Sequence, residues 1–473
     1  MASRPNILLI TTDQQRADTV HALGNPSILT PHLNWLVDTG VVFRRAYADC
    51  PICVPSRATI MTGRFGYTNG LTRNKPHPIP MADRPTLPGV LADAGYQTRA
   101  VGKMHFHPPR GHYGFQHMEI LQDYYRQAGS PPPMGHGLGQ NELEPGFSTV
   151  DESRSLTRWT VDRSIDFLET RDDTRPFFLW TSFAKPHPPL DCDPKYWSLY
   201  EQITMPDPAR GDWSTAATDV PAGFRASTDS LSRIERFSPE QLRAARRAYY
   251  ACITQIDYNL GQLFARLREL GLADNTWIIF TSDHGEMLGD HWMAAKGTGF
   301  EGSARVPLLV RPPAADWKPH PLQGRERNRL VCLADLMPTC LHLAGVAAPA
   351  ELDGRDLLDD DPPARDDLVI ASGDVFTVVR HDGLKHHYAA RGGGELLFDL
   401  DRDPTETRNI LADRPADAEA LRARLAAAIA EHRPDVSPDG RTLHELALPS
   451  HEDRAARRWP GLHSRHEPQD LLH

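Results

Sequence analysis

The sequence predicts an α/β protein: a large mixed, mostly parallel sheet sandwiched by helices, followed by a small antiparallel sheet with one helix. Two observations carry this expectation. Short, β-rich apolar runs alternate with helical patterns through most of the chain, the arrangement that builds parallel sheets. Beyond the acidic, proline-rich stretch Asp359-Asp360-Asp361-Pro362-Pro363, four shorter strand patterns separated by Gly and Asp turns take over.

Four apolar runs serve as landmarks in the first part. Residues 6–12 begin the fold almost at once, and residues 96–102, 176–183 and 277–282 read as further buried strands. A long helix precedes the last of them. Ser238 is its expected N-cap, Pro239 its first helical residue, and Gln241 completes a capping-box spacing. Tyr249, Ile253, Ile256, Leu260, Leu263, Leu267 and Leu270 then form an apolar stripe at helical period, and Gly271 supplies the stop. In the second part, residues 368–372, 376–380, 384–389 and 396–399 are expected strands and 415–432 a helix. The expected division is a catalytic unit over 1–362, a small α+β unit over 363–449 and a polar tail over 450–473.

Composition narrows the function classes. A chain of 473 residues buries a large core without disulfide staples. The net charge of −10 argues against a nucleic-acid partner. The apolar run at residues 6–10 is far too short for a membrane span or a signal-peptide core, and no other stretch could cross a bilayer. Six scattered cysteines (Cys50, Cys53, Cys192, Cys252, Cys332, Cys340) suit reduced thiols, so a cytoplasmic protein is expected. The sequence leaves a homo-oligomer open.

The landmark strands share one property: each ends in reactive groups. The first gives Asp13-Gln14, the second Lys103 and His105, the third Lys185 and His187, the fourth Asp283-His284. In an open α/β sheet, ligands bind beyond the carboxyl ends of the strands, so these residues are expected to converge. Between the first two strands lies Cys53-Val54-Pro55-Ser56-Arg57, followed by Thr62-Gly63-Arg64. A residue just before Pro55 sits at an expected helix N-terminus, where backbone N–H groups favour a developing oxyanion. The plain alternative for Cys53 is a buried structural thiol, or half of a Cys50-x-x-Cys53 pair; no second such pair exists in the chain.

This segment resembles the sulfatase signature, Cys-x-Pro-Ser-Arg with a Thr-Gly-Arg trailer, within the alkaline-phosphatase superfamily. The resemblance continues in order through Thr30-Pro31-His32-Leu33-Asn34, Gly102-Lys103-Met104-His105-Phe106, Pro186-His187-Pro188, Ser282-Asp283-His284-Gly285, Lys296 and Phe300–Pro307. It ends at Leu397-Phe398-Asp399-Leu400 with Asp403-Pro404, covering most of residues 6–412. It implies an alkaline-phosphatase-like fold and conversion of Cys53 to formylglycine by a maturase. It also implies one divalent metal ion held by Asp13, Gln14, Asp283, His284 and the modified residue 53. Oxygen donors suit calcium first, with magnesium or manganese as alternatives, and the imidazole leans toward manganese. Many sulfatases carry a second aspartate where this chain has Gln14, and Asn where it has His284.

The same resemblance implies that Lys103, Lys296 and Arg57 supply positive charge at the nucleophile and the sulfate. The hydrate at residue 53, deprotonated with help from Asp283, would attack sulfur in line. His187 or Lys296 would protonate the leaving alcohol, and His105 would help the remaining hydroxyl lose its proton as sulfate departs. A geminal diol suits this task on chemical grounds: a simple alcohol would be left as a stable sulfate ester needing a separate water. Lys185 has no family counterpart, and Glu286, Asp290, His291 and Trp292 read as loop or supporting residues.

Three rival readings share the scaffold. Phosphonate monoester hydrolases and phosphodiesterases resemble the chain in Asp13-Gln14, Asp283-His284 and Pro186-His187-Pro188. A choline-sulfatase-like enzyme would need an aromatic cage, for which Tyr113, Phe115, Tyr124, Tyr125 and Trp292 are available. A non-catalytic anion binder is the third. The leaving alcohol, whether sugar, aryl or alkyl, is expected to be read by loops 106–148 and 190–237.

Overall fold

The computed structural model describes residues 4–74, 81, 84–127, 143–228, 234–313, 320–360 and 365–448. Among these residues fourteen strands occur in chain order: β1 (Asn6–Asp13), β2 (Val41–Tyr47), β3 (Gln97–Gly102), β4 (His117–Ile120), β5 (Pro145–Phe147), β6 (Phe177–Pro186), β7 (Leu190–Cys192), β8 (Thr276–Ser282), β9 (Leu308–Arg311), β10 (Arg325–Cys332), β11 (Asp367–Ser372), β12 (Val375–Arg380), β13 (Leu384–Ala389) and β14 (Glu395–Asp399).

Eight of them form one sheet in the order β10-β2-β9-β8-β1-β6-β3-β4. Only β9 runs antiparallel to its neighbours, so the sheet is mixed and mostly parallel as expected. β1 lies at its centre with every residue buried, which explains its unbroken apolar run. Ile7 and Leu9 join the cluster on one face, with Val54, Ala58 and Met61 of the helix Cys53–Thr62. Leu8 and Ile10 join the cluster on the other, with Ile256, Leu260, Leu263 and Leu267 of the helix Pro239–Glu269. That helix carries the expected Ser238–Gln241 capping box, and Gly271 closes it at φ +66°. It also anchors a neighbour: Asp257 Oδ2 and Oδ1 accept from the backbone N–H groups of His32 (3.0 Å) and Leu33 (2.7 Å), capping the helix Pro31–Thr39 from outside.

The parallel register brings the reactive residues together. Thr12 pairs with Ser282, Asp13 with Pro186 and Gly102 with Ser182, so four strand ends lie level along one edge of the sheet. Gly102 is needed there: at φ +96° a Cβ would lie 2.0 Å from the Ser182 carbonyl oxygen. β6 runs three residues past the expected 183, carrying Lys185 and Pro186 within the strand.

β11 to β14 form a separate antiparallel meander, and Ala418, Leu421, Leu425 and Ile429 of the helix Pro415–Ile429 pack on it beside Val369, Val378 and Leu397. Its strand bounds match the expected ones to within one residue. The expected boundary at 362 and the tail 450–473 lie outside the described residues. Where the two sheets meet, the fully buried Lys385 bridges Glu301 (2.8 Å) and Glu406 (3.0 Å), and His387 Nε2 lies 2.9 Å from Glu406 Oε1. Among the described residues no helix is long and apolar enough to cross a membrane.

This junction makes stability depend on acid. Burial pulls His387 down to about 4, and the facing Glu406 carboxylate does not reverse it. A folded-state value below the unfolded one (about 6.5) means that the stabilisation is complete above pH 6.5 and is lost as pH falls toward 4, on the order of 3 kcal/mol. Thermal unfolding across pH 4–7 is expected to show this fall, and His387→Gln to flatten it.

Candidate active site

Cys53 is the first residue of its helix, with Ile52 in extended conformation as the N-cap. Its sulfur is buried, 3.2 Å from His284 Nε2 and 3.9 Å from Asp13 Oδ1. Burial pushes its thiol up, but Lys296, His284 and Lys103 outweigh that and hold it well below the ordinary range. The other five cysteines are buried, and none is in a disulfide. Burial pushes Cys50 well up, which separates an inert thiol from an activated one three residues away.

Asp13 and Asp283 come from adjacent strand ends and are fully buried. Asp283 Oδ1 accepts from the backbone N–H of Gln14 (3.0 Å) and of His284 (2.9 Å), and Oδ2 accepts from Arg57 Nε (3.0 Å). Burial and the charge of Asp13 push the Asp283 carboxyl up. Burial would do the same to Asp13, but Lys103, His187 and Arg57 dominate and hold it well below the carboxylate range. Lys103 Nζ forms an ion pair with Asp13 Oδ2, and Arg57 Nη2 stands 3.5 Å from the same oxygen.

Arg57 has no exposed surface; its remaining hydrogen bonds go to Ser182 Oγ (2.8 Å) and to the Lys103 carbonyl. The structure therefore gives it the two carboxylates as partners. His105, three residues past the end of β3, takes a positive φ of 56°.

His187 and Lys296 meet across the pocket at 2.8 Å. The His187 Nδ1–H donates to the Pro188 carbonyl (2.7 Å), which leaves Nε2 to accept from Lys296. Burial, then Lys296 and Lys103, bring His187 down to about 4. Lys296 Nζ also donates to Gln14 Oε1 at 2.5 Å.

Several residues prove to be scaffolding. Lys185 pairs with Asp191 and donates to the Pro189 carbonyl. Asp290 is held by Arg16 (2.7 Å) and Arg246 (3.1 Å), His291 by Ser214 and the Thr405 carbonyl, and Trp292 by the Ser214 carbonyl. The five aromatics offered for a cage do not share one cluster: Phe115 stacks on Phe178, Tyr124 packs on Trp159, and Arg210 covers Trp292 at 4.1 Å. Two residues to which the sequence assigns no role also support the site. Ser56 Oγ donates to the Asp283 carbonyl, and the Tyr249 hydroxyl donates to the Gln14 carbonyl at 2.6 Å.

The donor set fits a divalent cation. One ligand atom each from Asp13, Cys53, Asp283 and His284 lies within 4.8 Å of the others, and all four residues are buried. His284 donates Nδ1–H to the Gly285 carbonyl (2.9 Å), which leaves Nε2 as the atom that faces the site. The model of the Sulfatase family matches residues 5–346. The chain belongs to the sulfatase family. An arylsulfatase of Clostridium perfringens is 32% identical over 450 residues, covering 86% of this sulfatase and 90% of the relative. A choline-sulfatase of Rhizobium meliloti is 30% identical, covering 87% and 83%. The crystal structure of a phosphonate monoester hydrolase of Agrobacterium radiobacter superposes with a TM-score of 0.76 at 29% identity, covering 91% and 96%. Membership makes the chain a sulfuric ester hydrolase and gives a metal ion a part in its chemistry.

Proposed function

We propose that this sulfatase hydrolyses sulfate monoesters with a formylglycine made from Cys53. One cation, calcium first with manganese or magnesium as alternatives, would be held by Asp13, Gln14, Asp283, His284 and residue 53. The observation that carries the reading is the place of Cys53: the head of a buried helix, 3.2 Å from His284 Nε2, among carboxylates and lysines. Formylglycine, as its hydrate, supplies a hydroxyl nucleophile and a second hydroxyl that lets residue 53 release sulfate without an attacking water. The cation, when bound, acidifies that hydroxyl and offsets charge on the sulfate oxygens. A formylglycine-generating maturase is a necessary partner on this reading.

The chain's own groups have separate tasks. Arg57 and Lys103 keep Asp13 ionised, and Arg57 opposes the upward push on Asp283. His105, beside the nucleophile, takes the remaining hydroxyl proton. Lys296 holds the proton for the leaving alcohol, because His187 is neutral at pH 7 and already accepts from it. Lys296→Ala is therefore expected to lower kcat/KM by about 10²–10⁴ for alkyl sulfates, whose leaving groups need a proton. For an activated nitrophenyl sulfate, whose leaving group needs no proton, the loss should be smaller, because only the positive charge of Lys296 at the site is then missed.

A second reading, phosphonate monoester or phosphodiester hydrolysis at the same site, is favoured by Asp13-Gln14 and Asp283-His284 together with the similarity to the Agrobacterium enzyme. Parallel assays of aryl sulfate, alkyl sulfate, phenyl phosphonate and bis-aryl phosphate decide between them. Highest kcat/KM on a sulfate monoester supports the proposal; a phosphonate or diester preferred by about tenfold, worth 1.4 kcal/mol in the transition state, overturns it.

A further inference from the structure

Gln14 departs from the family pattern of paired aspartates, and its surroundings account for the choice. The residue follows Asp13 at φ +72°, with its backbone N–H donated to Asp283 and its carbonyl accepting from Tyr249. The side-chain amide lies between two groups of opposite character. Its Nε2 donates to Glu286 Oε2, and its Oε1 accepts from Lys296 Nζ. A carboxylate only accepts and an ammonium only donates, so a half-turn of the amide would set oxygen against oxygen and nitrogen against nitrogen. Glu286 is itself immobilised. It is 1% exposed, and its Oε1 accepts from the backbone N–H of Leu288 (2.9 Å) and of Ala295 (2.5 Å).

We infer that Glu286 is a positioning residue that sets the polarity of the Gln14 amide, so that its oxygen is the atom presented to the cation. The inference rests on the metal-site reading above and adds a residue outside the ligand set. Glu286 lies three residues after Asp283, so the segment 283–286 would supply two ligands directly and orient a third from the end of the neighbouring strand β1. A neutral glutamine at 286 would still accept from Leu288 and Ala295, but its NH₂ would face the NH₂ of Gln14. Relief comes by turning the Gln14 amide over, which points N–H groups at the cation.

The same geometry predicts a rescue. With Gln14→Glu and Glu286→Gln combined, the pair again consists of one carboxylate and one amide, and the carboxylate oxygen faces the cation. Full-length, matured protein stripped of metal and titrated with calcium, then manganese and magnesium, by calorimetry reads this without relying on turnover. Glu286→Gln is expected to weaken the apparent Kd by about 10–100-fold, and the swapped pair to return it to within about threefold of the unmutated protein. A merely structural Glu286 would not be rescued by a change at residue 14. Unchanged affinity in Glu286→Gln overturns the inference. So does a swapped pair that stays as weak as the single variant, or that fails to fold. If Glu286→Gln alone is unstable, wild-type-like affinity in the swapped pair supports the inference by itself. Unmutated protein that binds none of the three cations overturns the metal reading, and this inference with it.

Discussion

Cys53→Ala is expected to lower kcat/KM on an aryl sulfate by at least about four orders of magnitude, since it removes the group that both accepts the sulfuryl group and releases it. The fold should survive. The sulfur sits among His284, Asp13 and the lysines rather than in the apolar core, so its loss leaves no unfilled hydrophobic cavity. Equal Tm within about 2 °C and near-zero turnover would separate this outcome from simple unfolding, because a 1 kcal/mol loss in a chain this long shifts Tm by about that much. Cys53→Ser sharpens the test in protein whose mass shows an unmodified serine. An alcohol can take up the sulfuryl group once but has no second hydroxyl with which to release it. The expected result is a burst of no more than one equivalent of alcohol, followed by arrest.

Arg57→Ala has the second largest expected effect, and it falls on stability and activity together. The guanidinium is fully buried and lies against both site carboxylates, so its loss leaves Asp13 and Asp283 facing each other with less countercharge. Breaking such a pair costs about 3–5 kcal/mol, and chemical denaturation of metal-free protein is the direct measure. Added calcium should restore part of that loss by mass action on the folded state. The sign of the pH effect follows from the same charges. Burial and Asp13 already push Asp283 up, and Arg57 is among the groups opposing them. Without it the carboxyl rises further, and the acidic limb of the kcat/KM profile moves to higher pH. Arg57→Lys should recover little, because one ammonium cannot replace Nε, Nη1 and Nη2 contacts to four partners.

The parts of this site that the sequence makes legible are those fixed by strand ends. Asp13, Lys103, His187 and Asp283 each follow an apolar run, and the parallel register brings such ends level by geometry alone. The capping box at Ser238 and the stop at Gly271 are equally local, and the helix follows them closely. What the sequence leaves unread depends on contacts across long separations. Tyr249 belongs to the apolar stripe of its helix, yet its hydroxyl meets the Gln14 carbonyl 235 residues away. Lys385, His386 and His387 are consecutive polar residues of β13, and by residue type alone they read as solvated. All three are buried: Glu301 and Glu406 meet Lys385 and His387 across the junction, and His386 Nε2 lies 3.7 Å from Glu395. Arg57 carries a motif that marks it as a site cation, but only the fold assigns it to the carboxylates. The loops 106–148 and 190–237, where selection of the alcohol is expected, lie partly outside the described residues.

Mass spectrometry of the tryptic peptide 46–57 shows whether residue 53 is a formylglycine. That peptide, bounded by Arg45 and Arg57, contains both Cys50 and Cys53, so fragment ions must place any change on one of them. In protein made with its maturase, the expected result is a mass lower by about 18 Da (sulfur exchanged for oxygen, two hydrogens lost) on residue 53, with Cys50 unchanged. An intact thiol at residue 53, in protein that turns over sulfate esters, would contradict it.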